Sequence, residues 1–183
     1  MPSVFSHAIA AAAIGSVAVA GRSRAILWWL GAACAVVPDL DVISIASGIP
    51  YRHMLGHRGL SHSLLFAVVL ASVVTAIVRR TMPASPGAQT LWVFFFLATA
   101  SHGFLDSMTN GGLGVAFFAP FSDTRYFMPW RPILVSPISL HVFFGYGGLR
   151  VMWSELGWVW LPAALVFLAG LALRRATSRT PLS

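Results

Sequence analysis

The chain has 183 residues, of which 57% are hydrophobic and 9% charged, at a mean hydropathy of +0.79. A soluble domain carries about 25% charged residues, so this composition excludes water as the main solvent and points to lipid instead. All 12 of the basic residues are arginine, sitting mostly singly or in pairs beside apolar segments, a pattern of membrane-edge anchoring rather than nucleic-acid binding. Cys34 has no partner for an internal disulfide or a thiolate metal site, and the length suits one domain over residues 1–183.

Crossing a hydrocarbon core takes roughly 20 apolar residues, and segments of about that length fall at Val4–Ala20, Ala25–Ile45, Leu60–Val78, Thr90–Leu105 and Gly157–Leu173. The first is rich in Ala and Gly, which lets neighbouring helices approach, so it is expected inside the bundle. No basic region precedes it, which favours a span over a signal peptide. The connections Gly21–Arg24 and Arg79–Gln89 are short, the latter stopped by Pro83, Pro86 and Gly87. By contrast, Asp106–Glu155 is long, aromatic and broken by Pro120, Pro129, Pro132 and Pro137. The expected fold is therefore an all-α polytopic transmembrane bundle of about five spans, with an irregular cap between the fourth and fifth. Ile133–Leu149 reads as interfacial, with a further span as the alternative.

Alternating helix ends sort the ionisable residues by side. His7 opens the first span, Asp39 and Asp41 close the second, His57 and His62 open the third, and His102 and Asp106 close the fourth, so all of them fall on one face. Each charge placed in a membrane costs about 2.5 to 3.5 kcal/mol, and a shared site accounts for their convergence. The opposite face carries Arg22, Arg24, Arg79, Arg80, Arg174, Arg175 and Arg179, which the positive-inside rule makes cytoplasmic. The site then faces away from the cytoplasm.

His102 and Asp106 lie one helical turn apart on one helix face, a spacing that suits two ligands of one metal or, equally, a helix-end ion pair. In Gly56-His57-Arg58-Gly59-Leu60-Ser61-His62-Ser63, two imidazoles flank a helix start that Ser61 is placed to cap. His53 is expected to be incidental or outside the ligand set, and His141 to belong to the cap. Pro38-Asp39-Leu40-Asp41 adds two carboxylates. Positions two apart at a helix end cannot point the same way, so one of Asp39 and Asp41 is expected as a ligand and the other as a general base or orienter. Asp39, directly behind Pro38, is the preferred ligand. This nitrogen and oxygen set without thiolate suits one or two divalent ions, zinc first. Zinc lowers the pKa of water bound to it to about 7, which makes hydrolysis the chemistry most directly supported. No nucleophile elbow, P-loop or dinucleotide fingerprint competes. Arg58, Arg125 and Arg131 on the same face have guanidinium groups suited to phosphate oxygens.

His7, Pro38-Asp39-Leu40-Asp41, His57-Arg58-Gly59-Leu60-Ser61-His62-Ser63, His102-Gly103-Phe104-Leu105-Asp106 and Thr109-Asn110-Gly111-Gly112 together resemble the YdjM-type family of bacterial membrane-bound, metal-dependent hydrolase-like proteins. The resemblance implies an inner-membrane location and carries in its name an association with the LexA repressor. In ligand order the chain is also similar to the helical zinc-dependent phospholipase C and nuclease group, which cleaves phosphoesters. That likeness would make His7, Asp39 or Asp41, His57 or His62, His102 and Asp106 the ligands. The group's N-terminal Trp and HxxxE ligands have no counterpart in this chain. The resulting expectation is a membrane metallohydrolase with His7, Asp39, His57, His62, His102 and Asp106 on the metal, Asp41 and Arg58 in catalysis, and a lipid-like phosphoester as substrate among the membrane lipids. The alternative is a non-enzymatic regulatory or metal-binding membrane protein, such as a LexA-associated factor.

Overall fold

In chain order, the computed structural model contains α1 (Val4–Ala18), α2 (Arg24–Val36), a 3-10 turn (Val37–Asp41), α3 (Val42–Ala46), a 3-10 turn (Leu60–His62), α4 (Leu64–Thr81), α5 (Ala88–Ser107), α6 (Leu140–Phe143), α7 (Tyr146–Glu155), a π turn (Leu156–Trp160) and α8 (Leu161–Thr177). The described residues are 1–19, 24–137 and 140–177, so Arg22 and Arg179 lie outside them. Among these residues the regular structure is helical, with isolated bridges only at Thr109 with Ile133 and Val115 with Tyr126.

Among the described residues four helices are long and apolar enough to cross a membrane: Ala25–Ala46, Leu64–Thr81, Ala88–Ser107 and Gly147–Ala176. The first expected span, α1, has 15 residues and reaches only about 22 Å at 1.5 Å per residue, short of a core of roughly 30 Å. It packs against α2, α5 and α8 and buries Ser6, His7, Ala11, Ala13, Gly15 and Ser16. Small side chains permit that central place. The apolar core beside it is built from Ala11, Leu27, Ala35, Ala71, Leu91, Phe94, Phe95 and Ala98.

The second span keeps its expected extent: Pro38 tightens the chain into a 3-10 turn at the carboxylates, and α3 then carries the helical run to Ala46. Two other boundaries differ from the sequence expectation, each for a local reason. The third helix starts at Leu64, because Ser63 is extended and its hydroxyl accepts the Phe66 N–H at 3.1 Å. Ser63, not Ser61, is thus the cap. The last span begins before Gly157, since α7, the π turn and α8 run on continuously and Glu155 is buried within that run. Most of the remaining stretch, residues 108–137, is irregular.

Candidate metal centre

The chain brings four helix ends to one end of the bundle: the start of α1, the turn after α2, the start of α4 and the end of α5. There Asp39, His62, His102 and Asp106 offer ligand atoms that lie within 4.8 Å of one another, all buried, and can hold a metal ion. His102 Nε2 is 3.3 Å from Asp39 Oδ1 and 4.0 Å from Asp106 Oδ2. His62 Nε2 is 3.3 Å from Asp106 Oδ2 and 3.8 Å from Asp39 Oδ1. Gly103, in the turn between His102 and Asp106, has no side chain to keep α5 away from this point; a Cβ there would lie 3.0 Å from the His62 carbonyl oxygen.

Hydrogen-bond partners fix the tautomers. His102 Nδ1 lies 2.7 Å from the Ala35 carbonyl oxygen, which only accepts, so Nδ1 carries the proton and Nε2 the lone pair. His62 Nδ1 lies 3.0 Å from Ser61 Oγ and 3.1 Å from Asp41 Oδ2. The Ser61 hydroxyl donates to that same carboxylate oxygen, so both neighbours of Nδ1 act as acceptors toward it. The two Nε2 atoms then face each other at 2.9 Å. Two lone pairs at that distance repel, and a proton or a cation between them removes the repulsion. Burial lowers the pKa of His62, but the adjacent carboxylates of Asp106 and Asp41 outweigh it and raise the group to about 9. The surroundings favour positive charge at this point.

Around this pair, both carboxylate oxygens of Asp39 and of Asp106 and both ring nitrogens of His7 are buried without a hydrogen-bond partner in the protein. Unsatisfied buried polar groups are rare and costly, and the carboxylate oxygens beside the two Nε2 atoms fit a donor set for a hard or borderline cation, while His7 stands beside that group and outside it. With His62 neutral, as a metal ligand is, the three carboxylates Asp39, Asp41 and Asp106 outweigh the buried Arg58, a difference a divalent ion offsets. His7 approaches the cluster from α1: its ring stacks on His102 with centroids 3.8 Å apart, and its Nε2 is 3.8 Å from Asp106 Oδ1.

Asp39 and Asp41 point to different partners. Asp41 accepts from His57 Nδ1 at 2.5 Å, from the Arg58 N–H at 3.1 Å and from Ser61. With His57 and His62 it forms a second group able to hold a metal, joined to the first through His62. For the first group, Asp41 stands behind His62 as the carboxylate of a carboxylate–histidine pair.

Arg58 is turned inward. It occupies the left-handed region at φ 62°, a conformation that costs roughly 1 to 3 kcal/mol and concentrates at functional sites. Its side chain is fully buried, with Nε 3.0 Å from Asp106 Oδ2 though not aligned for a hydrogen bond. Nη1 donates to the Gly111 carbonyl at 3.0 Å and Nη2 to Thr109 Oγ1 at 3.1 Å. Gly112, at φ 86°, leaves room for it, since a Cβ there would lie 2.8 Å from Arg58 Nη1. Arg125 is engaged as well: it donates to the carbonyls of His57 at 3.0 Å and Tyr51 at 2.9 Å, stapling the loop that carries both site histidines. Of the three arginines the sequence offers to phosphate, Arg131 alone is exposed, its guanidinium 4.7 Å from the Phe127 ring. His53 and His141 are exposed and stand outside both groups.

Sequence reasoning passed over Glu155, which is fully buried. The available signal was its position, as the sole glutamate of the chain at the entrance to the last apolar run.

The comparisons with known proteins agree with this architecture. The chain is 40% identical over 169 residues to the inner membrane protein YbcI of Escherichia coli (strain K12), covering 91% of this chain and 95% of that protein. No solved structure matches it. Residues 1–179 match the description of the YdjM inner membrane proteins, and the chain belongs to that family.

Proposed function

We propose that the protein is a membrane-bound metal-dependent hydrolase, with a lipid-like phosphoester as substrate and its site on the extracytoplasmic face. The observation that carries this reading is the pair of buried Nε2 atoms of His62 and His102, 2.9 Å apart, ringed by the unsatisfied oxygens of Asp39 and Asp106. Asp39, His62, His102 and Asp106 hold the ion, with His7 beside them and His57 on the adjoining Asp41 group. A divalent ion supplies the Lewis acidity that activates water for hydrolysis.

The chain's own residues do the rest. Asp41 holds the rings of His57 and His62 in place, and Arg58 orients Asp106 and offsets part of its charge. The Ala35 carbonyl fixes the His102 tautomer. A substrate already dissolved in the membrane suits a site at a membrane face.

One observation favours a second reading, a metal of structural or regulatory use. Arg58 and Arg125 are committed to protein acceptors, so phosphate recognition falls to Arg131 and to the ion. Purified protein separates the two readings. Hydrolysis predicts bound divalent metal, lost in His62→Ala and His102→Ala, and turnover of lipid phosphoesters that a chelator abolishes and added zinc restores. Bound metal with no turnover across lipid and nucleotide phosphoesters selects the structural role, and metal-free wild type defeats both.

A further inference from the structure

Glu155 ends α7 immediately before the π turn Leu156–Trp160, is fully buried, and is absent from both metal-holding groups. Its carboxylate instead grips the start of α1. The Ser3 N–H donates to Oε1 at 2.5 Å, the Ser3 hydroxyl to Oε2 at 2.5 Å and the Ser6 hydroxyl to Oε2 at 2.7 Å. From the far end of the π turn, Trp160 Nε1 donates to Ser6 Oγ at 2.8 Å. The last span therefore holds Ser6 from two sides, and π turns inside helices occur often at functional sites.

What this grip replaces is informative. Ser3 stands at the N-cap of α1, yet its side chain makes no capping hydrogen bond, forgoing a contact usually worth about 1 kcal/mol to reach Glu155. The direction in which α1 enters the bundle is thus set from outside the helix. The next residue after Ser6 is His7, whose ring nitrogens have no hydrogen bond to hold them, so its orientation depends on the helix start and on its stacking against His102. An apolar contact runs parallel to the polar one: Val159 and Trp160 of the π turn pack with Ala10 of α1 and with Leu105, the neighbour of Asp106.

We propose that Glu155 is a positioning residue for the metal centre: through Ser3 and Ser6 it sets the place of His7 beside His102 and Asp106, and so ties the last membrane span to the site. The inference rests on the metal-centre reading above. A merely structural Glu155 would govern stability and leave the ion's surroundings unchanged.

Cobalt(II) binding to the full chain in detergent distinguishes these roles, because visible absorption reports the geometry around the ion without any turnover. Wild type, Glu155→Ala, Glu155→Gln, Ser6→Ala, His7→Ala and the Glu155→Ala/His7→Ala double variant are titrated with cobalt, and melting temperature is followed in parallel. Expected in Glu155→Ala are unchanged stoichiometry, affinity lower by about tenfold, as for other residues that orient ligands, and a spectrum displaced in the same sense as in His7→Ala. Glu155→Gln keeps an acceptor oxygen and recovers part of both effects. The double variant binds no more weakly than His7→Ala alone, since two changes acting through one group are not additive. A wild-type spectrum and affinity in Glu155→Ala, whatever its melting temperature, overturns the proposal, as do additive losses in the double variant. If Glu155→Ala does not fold, Ser6→Ala decides by the same two readouts. Wild type that takes up no cobalt overturns the metal-centre reading and this proposal together, whereas normal uptake insensitive to Glu155 and Ser6 overturns this proposal alone.

Discussion

The two ends of the bundle treat charge in opposite ways. At one end α4 and α8 finish in Arg79 and Arg80, and in Arg174 and Arg175, the C-terminal positions where a cation meets the negative end of the helix dipole. Arg79 and Arg80 stay exposed, and Arg79 reaches only the Ser85 carbonyl at 3.5 Å. At the other end Asp39, Arg58, His62, His102 and Asp106 are all withdrawn from solvent, and each has another member of the cluster for a neighbour. At the arginine end Arg174 donates to the backbone of α1, while Arg79 and Arg80 are stabilised largely by water and depend on no buried partner of opposite charge. At the acid and imidazole end charge is stabilised by other protein groups, so removing one leaves its partners stranded.

The largest effect should follow from stranding Arg58. Asp106→Ala leaves the guanidinium buried without its carboxylate, and breaking a buried pair from one side costs about 3 to 5 kcal/mol. For a chain of this size that is a fall of roughly 10 °C in melting temperature, measured with chelator present so that metal loss plays no part. Adding Arg58→Met should recover much of it. A fall of only a degree or two in Asp106→Ala would mean that the two ends do not differ as described.

A smaller effect, and a sharper one, is the pH dependence of the metal-free protein. His62 is raised from 6.5 to about 9 by Asp106 and Asp41 against burial. A folded-state pKa above the unfolded value stabilises fully below pH 6.5, and that contribution disappears as pH rises through 9. With chelator, the unfolding free energy should therefore fall by an amount on the order of 3 kcal/mol from pH 6.5 to 9, seen as a falling melting temperature. With divalent metal bound, His62 has no proton to lose and the decline should vanish. A flat profile in chelator would show that the carboxylates do not favour positive charge at His62.

That contrast also explains what was legible in the sequence. Helix ends alternate sides by chain connectivity, so hydropathy alone was enough to gather His7, Asp39, His62, His102 and Asp106 at one end. Directions of side chains were another matter. Arg58 looks like a surface residue suited to phosphate, and only its left-handed backbone together with the space beside Gly112 turns it inward. Ser61 and Ser63 are equally good caps by composition; the choice fell to Ser63 because Ser61 donates to Asp41. Both depend on contacts between residues distant in sequence. The long, Pro-rich stretch before the last span reads as cap or interfacial, with a further span at Ile133–Leu149 as the alternative, yet α7 already belongs to the final helix. Glycines at 147 and 148 lower helix propensity by about 1 kcal/mol each, which hides that helix start in the sequence.

The smallest effect on stability is expected at the arginine end, where the consequence is topological. Arg79→Gln with Arg80→Gln should change stability little, within about 0.5 kcal/mol, because exposed charges on a helix end contribute little. Their position carries the proposed orientation, since the connection after α4 is short and basic residues beside short loops bias a segment toward the cytoplasm. Arg174 of α8 donates to the Gly15 carbonyl at 3.3 Å, while Glu155 at the other end of the same helical run binds Ser3. The end of α8 therefore lies at the arginine end and the candidate metal centre at the opposite end. A reporter fused to the C-terminus should be cytoplasmic, one inserted at Gly112 should be on the other side, and the double Gln variant should weaken that preference without unfolding the protein. A C-terminal reporter found outside would reverse the orientation and put the metal centre on the cytoplasmic face, leaving the cluster itself intact.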